Sequence, residues 1–156
     1  MNPTLVVIAA SLLFLCVSMY LGTGWSLVLF TFPIAPKLTV DNYYMQFVPQ
    51  VDAATRFFTY MTMLMLALCA ALIWVEWRSV YMWGPVVVLV ATIAATTLTT
   101  RVIFPLNKAM KEGIRDPALL RETLAKWMTL NRIRVGLWTV QWLSMMCYFA
   151  AKALDH

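Results

Sequence analysis

Residues 79–100 read SVYMWGPVVVLVATIAATTLTT and carry no formal side-chain charge. This run of 22 residues is long enough for a membrane-crossing helix, which needs about 20 (range about 17–25). The same pattern recurs to either side. Met1 to Pro36, Phe57 to Val75 and Val135 to Ala151 are also uncharged, over 36, 19 and 17 residues. Four windows predict four crossings, and so an all-α, four-transmembrane-helix bundle forming one domain over residues 1–156. Composition agrees: 62% of residues are hydrophobic and 12% charged, with a mean hydropathy of +0.76. Soluble domains have roughly 45–50% and about 25%. No water-facing stretch of domain size is left over, which excludes a soluble enzyme on a membrane anchor.

Charge placement orients the bundle. Of the 12 Lys and Arg residues, Lys37, Arg56, Arg101, Lys108, Lys111, Arg115, Arg121, Lys126, Arg132 and Arg134 fall in the connections on one side. Arg78 and Lys152 fall on the other. The positive-inside bias makes the crowded side cytoplasmic and both termini external, with a bacterial inner membrane as the expected location. The pI of about 9.3 is then a matter of topology, and nucleic acid is not an expected partner. The N-terminal run has no basic start and exceeds the 7–15 residues of a signal-peptide core, so it reads as the first span. Cys16, Cys69 and Cys147 sit in separate apolar runs, without the spacing of a disulfide framework or a zinc site.

Span one reads from about Thr4 to Phe32 and ends at Pro33. Ser18, Gly22 and Ser26 recur every four residues, a spacing that allows close helix approach in lipid. The connection from Pro33 to about Thr55 carries Tyr43, Tyr44, Phe47 and Val48 and is expected along the interface. Asp52 and Arg56, four apart, are expected to pair. Span two covers roughly Ala54 to Trp77. Its Met61, Met63 and Met65 alternate, so on a helix they cannot converge on one ion. Trp77, Tyr81 and Trp83 mark an outer aromatic belt. Span three runs from near Pro85 to near Pro105, with Thr92, Thr96, Thr99 and Ile103 on one face ahead of Arg101. Asp116-Pro117 is a helix start. No proline follows until Lys152, so a helix of about 36 residues and about 54 Å is expected. It exceeds the hydrocarbon thickness of ~30 Å, which extends its first turns into the cytoplasmic interface.

On this last helix Trp127, Asn131, Arg134, Trp138 and Gln141 recur at helical spacing and form one stripe of indoles, amides and a guanidinium. Such groups at membrane depth face the bundle interior or a wet cavity. Asn107, just past Pro105, is expected beside Asn131 and Arg134. These six residues are the candidate binding set, with Asp52, Arg56, Thr96 and Arg101 as secondary candidates and no residue assigned as catalytic. The single histidine is His156, so no internal histidine can ligate haem or iron, and no cofactor or metal held by the chain's own side chains is expected.

Phe104-Pro105-Leu106-Asn107, the basic connection, and Trp127 to Asn131 with Arg134 heading a final span resemble the anthrone oxygenase-like integral membrane family. Gly22 and Gly24, with Phe30, Phe32 and Pro33, resemble that family's first helix. The resemblance implies oxidation of anthrones to anthraquinones without a conventional cofactor. The family motif often has histidine where this chain has Arg132, which removes the evident general base. Two readings follow. One is a membrane oxygenase or oxidoreductase for a lipophilic phenol, anthrone or quinol, with Trp127 and Trp138 stacking, Asn107 and Asn131 orienting oxygens, and Arg134 stabilising an anion. The other is a non-catalytic lipid- or quinone-binding component, working with other membrane subunits or as a homo-oligomer.

Overall fold

The computed structural model describes residues 3–155; His156 lies outside them. Long uncharged runs have no water to satisfy their backbone groups, and the helix does so within one segment. All regular structure among the described residues is accordingly helical. The helices are α1 (Pro3–Ser26), α2 (Tyr43–Val75), α3 (Trp83–Leu98), α4 (Phe104–Glu112) and α5 (Pro117–Leu154). With their flanking turns, α1, α2 and the α3–α4 body (Val80–Glu112) are long and apolar enough to cross a membrane. They mark an integral membrane protein. The 38-residue α5 is less apolar because its second half carries Trp138, Thr139, Gln141, Trp142 and Ser144. All but Trp138 hydrogen-bond to other helices. Trp142 Nε1 donates to Ser18 Oγ (3.2 Å), Gln141 Nε2 to Thr92 Oγ1 (3.0 Å) and Ser144 Oγ to the Gly84 carbonyl (3.0 Å).

α1 packs on α2 and α5, and α3 packs on the same two, giving a ring in the order α1, α2, α3, α5. One core cluster centres on Leu13, Val17, Met65, Leu72, Val88 and Met145, and a second on Tyr43, Ile103, Met110 and Leu124. Close approach is carried by other glycines than expected. Gly22 has open space around it, so the Ser18–Gly22–Ser26 row does not pack as one seam, although Ser18 meets Trp142 of α5. Gly24 meets α5 instead, where an added Cβ would lie 2.7 Å from Trp138 Cε3.

The prolines are the main departure from the sequence reading. α2 begins at Tyr43, well before Ala54, and carries Pro49 inside it. The Tyr43 hydroxyl donates to the Met110 carbonyl (3.1 Å) and accepts from Ile114 N–H, while buried Phe47 and Val48 hold the first turns down. This packing compensates for the backbone hydrogen bond that proline cannot make. Pro105 likewise does not end a helix. Ahead of Phe32-Pro33 and Phe104-Pro105 the helix widens into π turns, Leu27–Thr31 and Thr99–Ile103. Phe32 N–H donates to the Leu27 carbonyl and Phe104 N–H to that of Thr99. After Phe32-Pro33 the chain leaves the helix, but after Pro105 it continues as α4. The loop to α5 is therefore only Gly113–Asp116, with Gly113 at φ 97°. α5 starts at Pro117 as read, with Asp116 accepting from Ala118 N–H at 2.8 Å.

Candidate functional site

Three side-chain bonds tie α5 to the α3–α4 body at regular spacing. Trp127 Nε1 donates to Asn107 Oδ1 (2.9 Å), Arg134 Nη1 to Thr99 Oγ1 (3.3 Å) and Gln141 Nε2 to Thr92 Oγ1 (3.0 Å). The α5 partners are seven residues apart throughout, a spacing that keeps one seam facing a neighbouring helix. Thr92 and Thr99 are also seven apart, but Asn107 is eight further on. The π turn between them takes up the extra residue. Thr92 and Thr99 donate their own protons to the carbonyls of Val88 and Ala95 (both 2.7 Å), so their lone pairs are the acceptors for the ladder.

Beside this ladder lies a cavity of about 520 Å³ lined by α1, α2, the α3–α4 body and α5. That volume suits one drug-sized ligand. Its deep wall is aromatic. The Trp138 ring meets Tyr20 edge-on (centroids 4.9 Å apart) and stacks on Phe58 at 6.0 Å. Trp127, edge-on to Phe47 at 4.7 Å, closes the end nearest the Gly113–Asp116 loop. Between them stands Arg134, its guanidinium carbon 4.6 Å from the Trp138 ring centroid.

Arg134 is under-satisfied. Guanidinium has five N–H donors, yet the side chain makes one long hydrogen bond to a neutral hydroxyl, and Nε is buried without a partner. No Asp or Glu lines the cavity. The salt bridges among the described residues are Lys108–Glu112, Lys111–Asp52 and Lys152–Glu76, and none includes Arg134. Gln141 Oε1 is a second unpartnered buried atom in the cavity wall. The wall therefore combines aromatic faces, threonine oxygens and one cation without a counter-charge. Such a site can hold a flat apolar body and an anionic or carbonyl oxygen.

Of the sequence candidates, Asn107, Trp127, Arg134, Trp138, Gln141 and Thr96 line this cavity. Asn131 does not. It is fully buried, with Nδ2 donating to the Trp127 carbonyl (2.8 Å) and Oδ1 unpartnered. Asn107 meets Trp127, one turn earlier on α5. Asp52 does not pair with Arg56; it bonds to Lys111 across the α2–α4 junction and borders only a small recess beside Asn107. Arg56 and Arg101 are exposed and outside the lining. Arg132 faces the Phe32 ring at 5.4 Å and also lies outside the lining. Sequence reasoning missed Tyr20, whose hydroxyl donates to the Phe58 carbonyl (3.0 Å) and lies 2.6 Å from Thr62 Oγ1. A polar tip midway along an uncharged run was the available signal. It also missed Glu76, which is buried and bound to Lys152 and Tyr148 at the far end of the bundle. Among the described residues no group of three or more His, Cys, Asp or Glu could hold a metal ion. In comparisons with protein-family models, curated proteins and solved structures, the chain matches none of them.

Proposed function

We propose that the protein crosses the membrane four times with both termini outside, and binds a flat lipophilic aromatic compound bearing an anionic or carbonyl oxygen. The observation that carries this reading is Arg134, a half-buried cation with a buried, unpartnered Nε and no carboxylate partner, on the wall of a ligand-sized cavity. An unpaired charge at membrane depth is unfavourable and marks functional sites. A bound anion would supply the missing partner through charge-assisted bonds to the planar fork, while Trp138 stacks on the ring. α5 serves as the fourth crossing because its polar groups bond inward, and its first turns stand in the cytoplasmic interface. A bacterial inner membrane fits the positive-inside pattern.

The test is a tryptophan-quenching titration in detergent micelles with the 2-hydroxy-1,4-naphthoquinone anion, alongside naphthalene, which lacks the oxygens. Saturable binding about tenfold or more tighter for the anion is expected. Equal affinities would contradict the reading.

The family resemblance supports a second reading, a cofactor-independent oxygenase in which Arg134 stabilises an anthrone enolate or a phenolate before dioxygen reacts. Among the described residues, Tyr20 is the only lining acid besides the permanently charged Arg134, and Arg132 replaces the motif histidine, so binding leads. Oxygen uptake on adding anthrone, lost in Arg134→Met, would carry the oxygenase reading instead.

A further inference from the structure

We infer that the cavity opens sideways to the hydrocarbon phase, through the seam between α2 and α3, so that its ligand reaches Arg134 from within the bilayer. The inference builds on the binding reading above, but its labelling test is read independently of ligand binding.

The exposed lining residues locate the opening. On α2, Met63 lines the cavity yet is 66% exposed, and Thr59 beside it is exposed as well. On α3 the same holds for Thr96 and Thr100. α2 and α3 run antiparallel from a short outer connection, with Asp52 bonded to Lys111 near the other end. Thr59 is therefore level with Thr100, and Met63 with Thr96, and the four residues form two sides of one mouth.

Its depth identifies what it faces. Thr96 stands roughly 20 Å along the helix from both Trp83 and Lys111, at 1.5 Å per residue. The mouth lies within the uncharged runs 57–75 and 79–100, so lipid chains meet it, not water. Its polar atoms suit that setting. Thr59 and Thr100 donate to the carbonyls of Thr55 (2.8 Å) and Thr96 (2.9 Å) on their own helices, so two of the three mouth threonines turn their hydroxyl protons away from lipid.

The other seams are tied across by side chains. The α3–α5 seam carries the three-rung ladder. Gly24 seats against Trp138 across the α1–α5 seam. Exposed Thr23 and Ser26 border the α1–α2 seam, but there Tyr20 bonds to Phe58 and Thr62 at cavity depth. Phe47 and Trp127, 5% and 3% exposed, plug the cytoplasmic end beside α5, while exposed Gln50 and Phe104 continue the α2–α3 mouth toward that end.

A hydrophobic aryl-diazirine dissolved in liposomes holding the full chain, photolysed and mapped by mass spectrometry, tests the opening. Cavity-facing Phe58 and Leu66 should take label at a level comparable to lipid-facing Tyr60. In Thr96→Trp/Thr100→Trp their labelling should fall about tenfold, with Tyr60 unchanged. A bulky methanethiosulfonate attached after reconstitution to Met63→Cys, in a chain whose cysteines are replaced by alanine, blocks the seam without a folding step and should give the same fall. Phe58 unlabelled in the wild-type protein, or still fully labelled behind the attached group, would overturn the inference. Anion binding that persists while label is excluded would break this inference and leave the binding reading standing.

Discussion

At the scale of single residues, Arg134 carries a stability penalty that a structural role would not require. A cation in the membrane costs up to about 2.5–3.5 kcal/mol at a helix centre and less toward the interface, and here no carboxylate offsets it. Arg134→Met should therefore leave the Tm unchanged or raise it, while anion binding is lost; a fall in Tm of several degrees would point to a structural role. Gly24→Val should do the opposite, because any Cβ there meets Trp138. Overpacking of this kind costs about 1–3 kcal/mol, measurable as a lowered Tm in detergent. The inward position of Arg134 was legible in the sequence, since exposure to lipid would be unfavourable whatever the fold. The orientation of Asn131 was not. An amide on the inward stripe can turn to its own helix carbonyl four residues back, and spacing alone does not separate that choice from facing a ligand.

At the scale of elements, the π turn of Thr99–Ile103 brings Asn107 into line with Trp127. Deleting Val102 would let the turn relax to α-helix and rotate Phe104–Glu112 by about 100° relative to α3. Asn107 would leave the ladder, and Lys111 would turn away from Asp52. Cysteines at positions 52 and 111 should cross-link readily in the otherwise native sequence and poorly after the deletion; equal yields would show that the turn does not set the register. Proline reading failed for the same physical reason. Pro49 and Pro105 remove a donor and crowd a carbonyl, yet packing around Tyr43 and a widened turn at Thr99–Ile103 absorb both effects. Neither compensation shows in local sequence. The Asp116-Pro117 start was legible because it depends only on its own capping geometry.

At the scale of the whole molecule, the helical architecture followed from the uncharged windows, since lipid leaves the backbone few alternatives. The cavity did not, because its volume arises from how four helices diverge, a property of no single segment. Orientation is testable directly. A thiol placed in the loop Gly113–Asp116, in the cysteine-free chain, should resist a membrane-impermeant maleimide added outside intact cells and react after lysis. Labelling from outside alone would invert the topology. The central claim is that Arg134 binds an anionic oxygen inside the bundle. It is tested most directly by titrating the 2-hydroxy-1,4-naphthoquinone anion against wild-type protein, Arg134→Lys and Arg134→Met, each checked for unchanged helicity. The account predicts saturable binding to the wild type, weakened about tenfold by lysine, which keeps the charge but loses the planar fork, and abolished by methionine. Indistinguishable affinities across the three proteins would contradict it.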